Sequence, residues 1–283
     1  MTDTPDFSHL PTGAARLGVV MAKPKLIAVG CVVLLTGLGW LTLGWLMARM
    51  GGVEGGLTTA PLKALCTTLI GRDTPGVLIA LMWAAMTLAM MLPTAGPMML
   101  TYAEIAETAA RKGEQIVSPL VLAAGYGVVW VGFALTATAT QLALTRLALI
   151  DARMAPVSGL FSGAIFIAAG AYQFTPLKHA CLTQCQRPFP FFFAHWQTTA
   201  KGVFRLGLRQ GFYCLGCCWA MMLLMFAVGA MNVLWMAALG IVMTIEKIGS
   251  GRTFSHAVGA AMIVAGAAFL VATFVAHWPG AAV

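Results

Sequence analysis

Gly211–Lys247, GFYCLGCCWAMMLLMFAVGAMNVLWMAALGIVMTIEK, is almost wholly apolar, yet it opens with Cys214, Cys217 and Cys218 and closes on Glu246 and Lys247. At 100° per residue, Cys214, Cys217, Cys218, Met221 and Met225 share one narrow stripe of a helix. The chain around this stretch has 283 residues, 60% of them hydrophobic and only 9% charged. Soluble domains carry roughly 25% charged residues, so the deficit places the chain among integral membrane proteins. The expected fold is therefore all-α, a polytopic bundle of transmembrane helices.

Apolar runs at 26–50, 76–100, 119–144, 157–174, 206–228, 231–245 and 254–277 give about seven spans. The sixth is short, and the count falls to six if 211–248 is one broken element. Seven spans with the N-terminus inside put 12 basic residues on the inner side and 5 on the outer side. That asymmetry predicts a multi-pass protein of a prokaryotic inner membrane with its N-terminus in the cytoplasm. The polar residues 1–25 read as a cytoplasmic tail with no secretory signal, and 26–277 as one transmembrane domain. Within that domain 172–247 is the cysteine-rich core, and 278–283 form a short C-terminal tail. The 51–74 loop carries a weakly amphipathic piece, Pro61–Ile70, expected to lie on the membrane surface. The net charge of +8 sits in short loops, where it sets topology and meets lipid headgroups. Nucleic acid is therefore not an expected partner; the lipid bilayer is.

Chemistry concentrates in two cysteine groups. Cys181 and Cys185 are spaced i, i+4 and face the same way on a helix. Cys214 and Cys217 form C-x-x-C, with Cys218 one turn from Cys214. Cys31 and Cys66 stand alone. The seven-span topology brings helix ends bearing both groups to one depth, together with Met98 and Met99 of the second span. Thiolates near thioethers suit soft ions, copper(I) first, with zinc or an iron–sulfur centre as alternatives. Met221, His179 and Glu246 are further candidate ligands. Several thiolates at a membrane are costly without a cation, which a metal or Lys178, Arg187 and Arg209 would supply. Glu246 has an alternative reading as an ion pair with Lys247 or Arg209. The cysteines themselves can instead be read as small packing residues. Met82, Met86 and Met90, with Pro93 and Pro97, read more simply as core filler beside a kink. Small residues at Gly159, Gly163 and Gly170, and at Gly259 and Gly266, allow close helix contact in lipid.

The segments AMMLPTAGPMMLTYAE (Ala89–Glu104), YQFTPLKHACLTQCQRP (Tyr172–Pro188) and Gly211–Lys247 resemble a bacterial family of uncharacterised integral membrane proteins described as predicted metal-binding. The resemblance implies a metal site at Cys181, Cys185, Cys214, Cys217 and Cys218, and a small soluble or membrane partner protein. The expected function is copper handling: acquisition, transfer to an apo-enzyme, or passage across the bilayer. The rivals are a membrane thiol–disulfide oxidoreductase exchanging through Cys214–Cys217, a membrane metalloenzyme subunit, and a helical scaffold. No catalytic residue is assigned, and nucleotide-binding glycine motifs and Ser–His–Asp sets are not recognisable.

Overall fold

A computed structural model describes residues 24–50, 75–150, 158–229, 232–249 and 252–276. Among them it is all-α, with nine helices: α1 Pro24–Met50, α2 Pro75–Arg111, α3 Pro119–Arg146, α4 Gly159–Tyr172, α5 Pro176–Gln186, α6 Pro188–Ala194, α7 Ala200–Val228, α8 Val233–Ile248 and α9 Arg252–Ala276. The amphipathic reading of Pro61–Ile70, Cys66, most of the N-terminal tail and the C-terminal tail lie outside the described residues, as does the side chain of Cys31.

Helix starts follow local chemistry. Ser118 and Thr175 cap α3 and α5, each followed by a proline whose missing N–H costs nothing in a first turn. Thr199 accepts from Gly202 N at the start of α7, and Asn232 accepts from Trp235 N at the start of α8. Gly229 ends α7 at φ +93°, a backbone conformation that a side chain would strain. This stop and the Asn232 cap make 211–248 two helices rather than one broken element.

Four helices, α2, α3, α7 and α9, are long and apolar enough to cross a membrane. The count rises to five if α4 and α5, which meet at 65°, form one broken span. Among the described residues, then, four or five helices pass as full spans, so not all of the seven read from the sequence are found there. The fourth apolar run, 157–174, is α4 alone, and the helix that follows it, α5, lies beyond the run. α4 has 14 residues, about 21 Å of rise, and the chain bends at Gln173–Thr175 before α5. α8, with 16 residues, is likewise short of a full crossing. The described apolar part of α1 is Val32–Trp45. α2 runs on past the expected end near Leu100, helical through Pro93 and Pro97, to Arg111.

Two backbone-to-backbone contacts position the site. α4 and α9 pack through the expected glycines. A Cβ on Gly163 would lie 3.0 Å from Gly266 O, and one on Gly170 would lie 2.8 Å from Gly259 O. α3 and α7 meet at Gly125, Gly207 and Gly211, where an added Cβ would strike the facing helix. This second contact brings Tyr126 against Cys214. Met82, Met86 and Met90 are buried, and Trp83 of the same helix donates to Gln141 Oε1 at 2.6 Å. The aromatic run at 188–193, expected as an interfacial anchor, forms α6. Phe192 is buried edge-on against Tyr102, while Phe189 and Phe193 stack outward.

Gly170→Ala inserts a methyl where Gly259 O and Ile263 already stand. Overpacking of this kind costs about 1–3 kcal/mol. The expected outcome is a lowered melting temperature of the full chain in detergent, with helix content retained by circular dichroism.

Candidate metal centre

α7 presents Cys214, Cys217 and Cys218 to the interior, where all three are buried. Cys185, on the last turn of α5, interacts with both Cys214 and Cys217. Cys181 sits one turn earlier, its Sγ against Gly216, where a side chain would approach within 2.7 Å. The two cysteine groups, 29 or more residues apart in sequence, therefore share one place in the fold. Tyr172 reinforces the junction by donating to Gly216 O at 2.6 Å.

At the centre stands Lys247. Its Nζ donates to Cys214 Sγ at 2.9 Å and to Thr94 Oγ1 of α2 at 2.8 Å. Tyr126 Oη completes the surroundings of Cys214 Sγ at 3.0 Å. Cys218 Sγ lies 3.8 Å from Met91 Sδ. α8 must run back along α7 for its penultimate residue to reach Cys214, and the Gly229 stop permits that reversal. An ammonium at hydrogen-bond distance is the partner that a sulfur anion in apolar surroundings requires.

Neighbouring side chains on a helix point about 100° apart, so Glu246 cannot serve the same place as Lys247. It pairs instead with Lys178 of α5, both carboxylate oxygens lying 2.8 Å from Nζ. The two side chains are 3% and 0% exposed. Gln173 Oε1 also accepts from Lys178, and Ser255 Oγ donates to the same oxygen at 3.3 Å. This corrects the pairing of Glu246 with Lys247 or Arg209. Lys247, rather than Lys178, Arg187 or Arg209, brings positive charge to the thiols.

The remaining candidates fall apart from the thiols or behind them. Met221 is buried on α7, one turn beyond Cys217 and Cys218. His179 turns to His256 of α9, Nε2 to Nε2 at 3.1 Å. From α2, Met91 reaches Cys218 and Thr94 reaches Lys247, both nearer the helix start than the expected Met98 and Met99.

Among the described residues, no group of three or more His, Cys, Asp or Glu side chains is arranged to hold a metal ion. The physical reason lies in the thiol rotamers. Cys217 and Cys218 both donate to Cys214 O, at 3.0 and 2.9 Å, so their sulfurs are turned onto the helix backbone. The donor set nevertheless suits a soft ion: four thiols, a thioether and a cation to balance charge. Gln210, one turn before Cys214, is buried with its Oε1 unpartnered.

The comparison with family models turns on this same region. A model described as PpoB2, copper chaperone, matches residues 80–269. The chain belongs to this copper chaperone family. The match takes in every residue of the centre, from Met91 through Cys181, Cys185 and the α7 cysteines to Lys247. No curated protein and no solved structure matches the chain.

Lys178→Met strands Glu246 as a buried unpaired charge, and breaking a buried pair from one side costs about 3–5 kcal/mol. The double variant Lys178→Met/Glu246→Leu should recover most of that loss. A double-mutant cycle on the melting of the full chain in detergent measures both values.

Proposed function

We propose that this member of the copper chaperone family carries copper(I) as cargo on a membrane-embedded thiol centre and hands it to an apo-protein. The ligands are two thiolates, Cys214 and one of Cys217 and Cys218 of α7, while Cys185 of α5 stays a neutral thiol that receives the ion by exchange. Cys181 and Met91 stand beside them as transfer positions. The observation that carries the reading is the meeting of four thiols from two helices, with the Lys247 ammonium on one of them, Cys214.

Charge balance argues for how the centre works. Without cargo, one thiolate at Cys214 and the Lys247 ammonium sum to zero. With a monovalent copper ion on two thiolates, the complex carries one negative charge, and Lys247 again brings the sum to zero. A buried site that is neutral both empty and loaded avoids the desolvation cost of uncompensated charge. Loading requires the second thiol to rotate away from Cys214 O and release its proton to water as the copper ion enters, one positive charge exchanged for another. Thiols are weak donors, so leaving that carbonyl costs little. Ligand exchange between cysteines on one helix face and a thiol of the next helix then moves the ion without releasing it to water.

Four apolar helices long enough to cross a bilayer support a membrane setting. We place the protein in a prokaryotic inner membrane with its N-terminus in the cytoplasm, from the distribution of basic residues. The partner is a small soluble or membrane protein that accepts the ion.

Elemental analysis of the purified full chain should find copper in wild type and only background in Cys214→Ser/Cys217→Ser/Cys218→Ser. Equal copper in the two would contradict the thiol centre. Lys247→Met should keep the ligands but weaken copper affinity about 10- to 100-fold, the usual effect of removing a group that supports metal ligands. Competition with a chromophoric copper(I) chelator reads that change.

A further inference from the structure

His179 and His256 are not absorbed by the thiol centre. His179 lies in the first turns of α5, and His256 lies in the first turns of α9. Their Nε2 atoms face each other at 3.1 Å, with the rings nearly perpendicular at 81°. The His256 ring is held from behind by Phe174, stacked at 5.1 Å and 20°. His179 is buried, whereas His256 is half-buried and leaves one side of the pair open. Lys178 and Arg252 are the cations facing His179, and Lys178 is already neutralised by Glu246.

We propose that His179 and His256 form a second metal site, nitrogen-donating and independent of the thiols, that takes copper. Imidazole nitrogens bind first-row metals at about 2.0–2.1 Å. Two such bonds with nitrogens 3.1 Å apart enclose an angle of about 100° at the ion. That angle lies between square-planar and tetrahedral values, so the pair can chelate without moving either helix. It leaves further coordination positions open toward the exposed side of His256, where ligands of a donor or acceptor can enter. Imidazole also binds copper, and as a neutral ligand it leaves the ion's positive charge in place, with Glu246 the anion near His179. Cys185 stands six residues beyond His179, about 9 Å along the same helix. One short helix thus presents a nitrogen site at its start and a thiol at its end. The competing account is a simple hydrogen bond between two neutral imidazoles.

The test is copper K-edge absorption on the full chain in detergent, loaded anaerobically with copper(I) supplied as its acetonitrile complex. Wild type should show both nitrogen and sulfur shells. His256→Ala should lose the nitrogen shell and keep the sulfur shell, and Cys214→Ser/Cys217→Ser/Cys218→Ser should do the reverse. His256→Gln, which retains a hydrogen-bonding side chain of similar reach, should behave as His256→Ala does and covers the case in which the alanine variant misfolds. An unchanged nitrogen shell in the His256 variants would overturn the proposal. So would its disappearance from the cysteine variant. A wild type with nitrogen but no sulfur would support the histidine site while contradicting the thiol centre.

Discussion

The contact between Lys247 Nζ and Cys214 Sγ is the interaction on which the rest of the bundle depends. Neither group is stable alone in so apolar an interior, because a bare ammonium or a bare thiolate there is far from water. Bringing them together imposes conditions on distant parts of the chain. α7 must stop at Gly229 and α8 must double back. α2 must pass close enough for Thr94 to take a second Lys247 proton, and Met91 comes with it to the sulfur of Cys218. α3 must approach α7 closely enough for Tyr126 to reach Cys214, which Gly125 and Gly207 allow. The glycines, the stop and the charge are parts of one solution.

The Lys178–Glu246 pair works beside it on the other face of α8. Because successive side chains diverge, the dipeptide Glu246-Lys247 ties α8 to two helices at once, α5 through the carboxylate and α7 through the ammonium. Gln186 adds a bond from its Nε2 to Glu246 O at 2.8 Å. α5, only eleven residues long, is thereby held in the register that sets Cys185 against the α7 thiols. A buried ion pair is weak evidence for stability, but it strongly specifies which groups face each other.

Much of this was legible in the residues. The charge deficit and the apolar runs decide for helices, and the i, i+4 and C-x-x-C spacings mark the two cysteine groups. Glycines at 163, 170, 259 and 266 identify a close helix pair. Seven full spans are not all found among the described residues: α4 and α8 are short, and hydropathy does not register the bend after Tyr172 across which α4 and α5 together could make one broken span. The partner of Glu246 was misjudged by sequence adjacency, although helix geometry already separates it from Lys247. Met91 and Thr94 were missed because a span-end estimate placed the site nearer Met98, whereas α2 continues well past Leu100. His256 carried no signal in one dimension; the packing of α9 against α4, from which the chain turns into α5, brings it to His179.

The account stands on Cys185 belonging to the same centre as the α7 cysteines. A trivalent arsenical closes a bridge only between thiols that are near neighbours. Membranes containing the full chain can be treated with one and the bridged peptides identified by mass spectrometry. The account predicts bridges from Cys185 to Cys214 or Cys217. Bridges confined to Cys214, Cys217 and Cys218, with Cys185 carrying only single adducts, would contradict it.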